Sequence, residues 1–372
     1  MKGRVRLKKI GLRLAYVVGV AIFVVAALEV GLRLIVRYNP SYYIGFHHQE
    51  NRTISFPYGI IRYNSDGLPD DEFLPRKVKP RIAYFGDSVC YGVGAGHGYR
   101  VSEVLEPLLP EYEHMNFSLI GLNLSPAIVD TLVRHTQRFE LDRVVFLMNL
   151  NDVFPFDETN AVRDGNGGAV TRQVPFRRGL VTLRRHLDHL RGRSYLYTHV
   201  RLIIKNYYTR RGFESHGQVA YEFFPEEYGS IIDATTARIR DLQVRLARLR
   251  CELLVVILPY EMQVSSAAEA RYRELGVHWG AGFIARDTQA RIAAGLEHVP
   301  HLDAAEAFVP SGLDSAGVAA ARDRNALGEF FVYDRGDKLD WNHLNRTGHA
   351  RLAEFLYASG MLQFPRSGAG SF

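Results

Sequence analysis

Ser88, Asp340 and His343 are the residues of this chain whose types and setting could do chemistry together. A serine hydroxyl attacks esters poorly by itself and needs a neighbouring base. A histidine supplies the base, and a carboxylate holds the imidazole in the right tautomer. Ser88 stands in Arg81-Ile-Ala-Tyr-Phe-Gly-Asp-Ser-Val89, directly after the apolar run Ile82 to Phe85. A short apolar run bounded by a turn is the pattern of a strand buried on both faces. The hydroxyl therefore falls at the carboxyl end of a strand, where α/β sheets hold their ligands. Asp340-Trp-Asn-His343 lies near the other end of the chain, so one loop can deliver both acid and base.

The elements that must position these residues follow from periodicity. Strands are expected at 81–86, 113–119, 143–149, 253–258 and near 301–304. Helices are expected near 99–109, 125–139 and 229–250. The last of these places Ile232, Ile239, Leu242, Leu246 and Leu249 on one face. A closing helix after the Asp340 loop would be capped by Asn345 and would bury Leu352, Phe355 and Leu356. Alternating strands and helices imply a parallel sheet covered on both faces, an α/β fold. Residues 38–80 are rich in aromatic residues and contain proline. They read as a linker and lead-in that packs on the domain, with a turn at Asn64-Ser-Asp-Gly67. Residues 153–230 break the alternation with a mixture of arginine, tyrosine and phenylalanine. An insertion there would follow the third strand. It either sits above the site, where substrate-selecting loops belong, or merely covers one side. Residues 361–372 form a tail.

Four separated blocks resemble the SGNH (GDSL-type) hydrolases. They are Gly86-Asp87-Ser88, Asn116-Phe-Ser-Leu-Ile-Gly121, Asn149-Leu-Asn151-Asp152 and Asp340-x-x-His343. One such block is a common accident, whereas four in order at strand ends are specific. The resemblance covers residues 81–152 and 231–360, with Asn149 standing where the family's third block has glycine. It implies a flavodoxin-like three-layer α/β/α sandwich over residues 81–360. It also implies Ser88 as nucleophile, His343 as base and Asp340 as its orienting acid. The oxyanion hole would consist of the backbone N–H groups of Ser88 and Gly121 and the side-chain amide of Asn151. Such an enzyme needs no cofactor and no metal.

The formal net charge of +6 belongs to one end of the chain. Residues 1–37 carry eight basic side chains and one acid, leaving 38 basic against 39 acidic residues elsewhere. That near balance removes the support for nucleic-acid binding. Six basic residues precede the uncharged stretch Leu14 to Leu28, and Glu29 and Arg33 then stand four apart, where they could pair. This reads as one transmembrane anchor with its basic tail in the cytoplasm, since the charge bias keeps that end inside. The alternatives are a buried helix and a cleaved signal peptide, whose site at Ala26-Ala27-Leu28 would fit poorly. The main domain would then be periplasmic or extracellular on a single-pass protein of the cytoplasmic membrane.

Other motifs point away from rival chemistries. Gly92, Gly94, Gly96 and Gly98 imitate a dinucleotide loop, but His97 and Tyr99 hold its last glycine position. Cys90 replaces the final glycine of an α/β-hydrolase elbow. Cys90 itself is a rival nucleophile or a small buried filler. It cannot reach Cys251, which would lie at the opposite sheet edge, ~15–20 Å away. His186-Leu-Asp-His189, with arginines around it, reads as a solvated helix face rather than a metal pair. The function expected is a membrane-anchored serine esterase acting on an acyl ester, with a polysaccharide as the candidate carrier. The rivals are an O-acyltransferase using the same acyl-enzyme and a non-catalytic glycan-binding scaffold.

Overall fold

Three apolar runs form the middle of one parallel sheet because each must bury both faces, and two shorter, more polar strands form its edges. In the computed structural model, the residues described are 2–38, 53–56, 58–122, 124–152, 190, 194–210, 229–274, 277–333 and 340–364. A first hairpin pairs β1 (Thr53–Phe56) with β2 (Gly59–Arg62). The main sheet holds β3 (Arg81–Gly86), β4 (Glu113–Asn116), β5 (Arg143–Met148), β6 (Glu252–Ile257) and β7 (His301–Asp303). Its order is β4-β3-β5-β6-β7, and every neighbouring pair is parallel. Counted within the sheet this is 2-1-3-4-5, the flavodoxin-like order. All six residues of β3 and all six of β5 are buried, as central strands require.

Alternate residues of these strands feed two separate cores. Ala83, Phe85, Val144, Phe146, Val255 and Ile257 face one side. There they meet α4 (Pro126–Arg138), α6 (Gly229–Ala247) and α10 (Asp287–Leu296). Ile82, Tyr84, Val145, Leu147, Leu254 and Val256 face the other side. They are covered by α3 (Val101–Leu105) and the closing helix α12 (Arg346–Ala358). The fold is the three-layer α/β/α sandwich. Helix α6 buries Ile232, Ile239, Leu242 and Leu246, four of the five residues expected on its inner face, and ends at Ala247. The second strand, β4, ends at Asn116, short of the expected 119, although Phe117 and Leu119 still donate to the β3 carbonyls of Tyr84 and Gly86 before the chain turns at Leu119–Leu122.

The remaining helices are α1 (Lys2–Tyr38), α2 (Ser88–Tyr91), α5 (Tyr195–Arg210), α7 (Glu261–Val264), α8 (Ser266–Glu274), α9 (Ala281–Ile284) and α11 (Ser315–Arg324). Among the described residues, 58–80 pack on the sandwich. Ile60 accepts the His97 N–H, and buried Asp70 accepts the Asn116 N–H at 2.6 Å. The Asn64–Gly67 turn closes with a 3.0 Å bond from Gly67 N–H to Asn64 O. Cys90 and Cys251 are both free and buried. Most of the expected 153–230 insertion, including His186 and His189, and the tail from 365 lie outside the described residues.

Candidate active site

The chain leaves β3 at Gly86 and enters α2 at Ser88 with Asp87 as N-cap, its carboxylate accepting the Val89 N–H at 2.9 Å. Strand β5 lies beside β3, with Gly86 in register with Leu147. Its continuation, a 3₁₀ turn over Leu150–Asp152, brings Asn151 to the same sheet edge. Between these two strands the order of connection reverses, and α/β sheets form their binding crevice at that point.

The third component arrives from 255 residues away in sequence. Asn345 caps α12 by accepting the Gly348 N–H, and its own amide donates to the carbonyls of Gly328, Glu329 and Phe331. A bridge between Phe331 and Leu344, with Val332 N–H donating to His343 O at 2.8 Å, fixes the loop just before that cap. Gly94 lets this loop close on the element that carries Ser88. A Cβ there would meet Leu344 O and Val332 Cγ2 at 2.4 Å. The glycine-rich run after α2 thus seats the histidine loop.

The outcome is a hydrogen-bonded chain. Ser88 Oγ lies 2.8 Å from His343 Nε2, and His343 Nδ1 lies 2.8 Å from Asp340 Oδ1. Asp340 also accepts the His343 backbone N–H at 3.3 Å. A carboxylate can only accept, so the proton sits on Nδ1 and Nε2 turns its lone pair towards the Ser88 hydroxyl. Ser88 is 8% exposed, so the hydroxyl is within reach of a substrate yet largely removed from bulk water. Asp87 is a weaker partner for it, at 3.4 Å. Burial pushes the Asp87 carboxyl up, while bonds from Val89 N–H and the Asn151 side chain pull it down. The Asn151 side chain thus lies close to the Asp87 carboxylate, next to Ser88, and its amide offers N–H donors that do not titrate.

The second block forms a turn in which Leu122 N–H donates to Leu119 O and Gly121 takes φ +71°, a left-handed backbone that suits glycine. Leu119 N–H bonds Gly86 O at 3.0 Å, so the turn is anchored to the end of β3. Neither Gly121 N–H nor Ser88 N–H has a backbone acceptor among the described residues. Asn116 is buried and holds the block from within. Its amide donates to Cys90 O at 3.1 Å and its carbonyl oxygen accepts from Ser118. Asn149, at the family's glycine position, has no positive φ, and its side chain accepts the Leu150 N–H at 2.8 Å. Asparagine is thus compatible with this backbone. Cys90 is buried, and desolvation pushes its thiol well up, which disfavours the thiolate.

Replacing Asn151 by alanine is expected to lower kcat by ~10²–10³ with little change in KM, because a donor to the oxyanion acts only as charge develops. Steady-state kinetics on a soluble ester checks it. Full kcat in the variant would remove Asn151 from the oxyanion hole.

Two further residues support the acid, and periodicity alone does not reveal them. Tyr272 Oη, on α8, lies 2.7 Å from the Asp340 carbonyl and 3.2 Å from Glu261 Oε2. Glu261, at the start of α7, donates its N–H to Trp341 O and accepts Gly328 N–H. Tyr272 has one proton and two acceptors nearby. Donation to the closer carbonyl leaves the Glu261 contact satisfied when Glu261 is protonated. Burial, its largest influence, indeed pushes Glu261 up to about 7. A carboxyl raised on folding keeps its proton longer in the native state, so stability from this residue is full below its ordinary 4.5 and falls as pH rises through 7. The loss is about 3 kcal/mol at 1.36 kcal/mol per pKa unit. Glu261→Gln should flatten the stability profile between pH 4.5 and 8, as read by urea unfolding. An unchanged slope in the variant would assign the titration elsewhere.

No family model matches the chain, and no curated protein matches it. Solved structures do match at low identity. One is a protein of the G-D-S-L lipolytic family from Desulfitobacterium hafniense, at 10% identity and a TM-score of 0.38, covering 76% of this chain and all of that one. Another is a catalytic mutant of Axe2, an acetylxylan esterase from Geobacillus stearothermophilus, at 14% identity and a TM-score of 0.37, covering 79% and 100%. A third is the psychrotrophic esterase EstA of Pseudoalteromonas, at 10% identity and a TM-score of 0.33, covering 76% and 99%.

Proposed function

We propose that this chain is a membrane-anchored serine esterase of the SGNH type that removes an O-acyl group from an extracytoplasmic glycan. The observation that carries the catalytic part is the Ser88–His343–Asp340 chain at the β3/β5 edge, with both links at 2.8 Å. Ser88 Oγ attacks the ester carbonyl carbon while its proton passes to His343 Nε2. Asp340 stabilises the imidazolium and keeps the ring oriented. The carbonyl oxygen becomes an oxyanion facing the N–H groups of Ser88 and Gly121 and the Asn151 amide. The tetrahedral species collapses, the C–O bond to the alcohol breaks, and His343 returns the proton to the leaving oxygen. Acyl-Ser88 remains, and water activated by the same imidazole releases the acid.

Anchoring is supported by α1. Residues Ala15–Ile35 form a 21-residue apolar stretch, and Tyr16, Ile22 and Phe23 are all well exposed. At 1.5 Å per residue such a stretch is ~31 Å long, enough for the hydrocarbon layer. The glycan reading rests on the extracytoplasmic placement of the main domain and on the arginine- and tyrosine-rich composition of residues 153–230.

The test uses the full-length protein in detergent. A serine-directed fluorophosphonate should label Ser88, and acetylated polysaccharide should release acetate. Release without labelling would exclude the acyl-serine route, and labelling with transfer to an added glycan instead of water would make the protein a transferase. No labelling and no turnover, with glycan binding retained, would leave a scaffold.

A further inference from the structure

We infer that helix α5 is a second membrane element, lying with its exposed apolar ridge in the outer leaflet against α1. This rests on the anchor reading of α1 given above. The starting point is Glu29, an acid inside the apolar stretch Ala15–Ile35, about six residues or ~9 Å from its far end. An ionisable group at that depth needs partners. Arg33 pairs with it one turn along, at 2.8 Å, and the rest of its partners come from Ser194 and the first turn of α5 that follows it. Glu29 accepts Ser194 Oγ–H at 2.9 Å, Tyr195 N–H at 3.0 Å and Leu196 N–H at 2.9 Å. Ser194 Oγ in turn accepts the Tyr197 N–H at 3.1 Å. The first turn of α5, whose N–H groups have no partner within the helix, is thus completed by a carboxylate from the anchor and the Ser194 hydroxyl. The Arg33 guanidinium also lies 4.9 Å from the centre of the Tyr195 ring.

This tie fixes depth. If α1 crosses the bilayer, the start of α5 lies at the level of Glu29, below the outer end of the apolar stretch. Among the described residues, α5 then presents an apolar ridge outward. Val200, Ile203 and Ile204 are 42%, 54% and 50% exposed and share one face with Leu196, at spacings of four, three and one. Thr198, off this face, is buried. Three large aliphatic side chains half exposed on one face are costly in water and favourable among acyl chains. The occupant is therefore lipid, and continuity with the anchor says where that lipid is. Two helices tied through Glu29 would restrict how the anchor turns beneath the domain, which a single helix on a tether would not.

The test places one thiol-reactive fluorophore at a time on the full-length protein in phosphatidylcholine vesicles, at Phe23→Cys, Ile203→Cys or Val78→Cys. The native cysteines are buried, and Val78 is 73% exposed on the approach to β3. Nitroxide-labelled lipid should quench the Phe23 and Ile203 probes several-fold more than iodide does, with the order reversed at Val78. Adding Glu29→Gln should move the Ile203 probe towards iodide and leave Phe23 unchanged. Lipid quenching at Phe23 with iodide quenching at Ile203 would overturn the inference and leave the anchor standing. An Ile203 probe shielded from both quenchers would also overturn it, because protein would then cover the ridge. Iodide quenching at Phe23 would overturn the anchor itself and the inference with it.

Discussion

Replacing Ser88 by alanine is expected to abolish ester turnover, lowering kcat by up to ~10⁶, while the fold is unchanged. The scale follows from the arrangement. With Ser88 Oγ removed, His343 has no nucleophile to activate, and only the oxyanion donors and substrate binding remain to accelerate attack by water. The fold should tolerate the change because Ser88 contributes little else. The α2 cap is made by the Asp87 side chain, and Ser88 helps through its backbone carbonyl, which accepts the N–H groups of Gly92 and Val93. Circular dichroism and thermal unfolding should match the parent protein. Cys90→Ala, two residues on, should retain near-normal turnover, since that thiol is buried and pushed well above its ordinary value. The reverse result, with activity surviving in Ser88→Ala and lost in Cys90→Ala, would overturn the assignment of the nucleophile.

Asp340→Asn is the second large effect, an expected fall of ~10⁴ in kcat with little change in KM. The carboxylate at 2.8 Å from His343 Nδ1 requires a proton on that nitrogen. An asparagine amide can instead donate to Nδ1, which moves the ring proton to Nε2. The ring then has no lone pair facing Ser88 Oγ and cannot accept its proton. Sterically the change is small, and Tyr272 still bonds the backbone carbonyl of residue 340, so the loop should stay in place. Rates measured at increasing pH should stay low throughout. A variant within tenfold of the parent would show that His343 is oriented by other groups.

Much of the catalytic reading was legible locally. Ile82 to Phe85, Val144 to Met148 and Leu253 to Leu258 are apolar runs too short for helices, and each lies in or largely within a strand of the central sheet. Asn345 is followed by an amphipathic run, and it caps α12 through Gly348 N–H. The short motifs around Ser88, Gly121, Asn151 and His343 were visible because turns and caps depend on side chains only a few residues apart. Element ends were less legible. The stretch from Phe117 to Leu119 still follows β3, through Phe117 N–H to Tyr84 O and Leu119 N–H to Gly86 O, but strand β4 ends at Asn116 and the chain turns at Leu119–Leu122.

The sequence by itself singled out Ser88, Asp340 and His343 as candidates and determined that the chain alternates strand and helix, since both are read from short windows. Tertiary structure alone decided that β3 lies between β4 and β5, so that Ser88 and Asn151 share an edge. It also decided that Gly94 must leave room for the loop bearing His343, and that Tyr272 holds Asp340 across 68 residues. Glu29 shows the same division. Its i, i+4 partner Arg33 could be read from spacing, whereas its hold on Ser194, Tyr195 and Leu196 spans more than 160 residues. The physical reason is that periodicity reports which face of an element is apolar. Which partner covers that face, or completes a buried polar group, is settled only when distant segments compete for it in the folded chain.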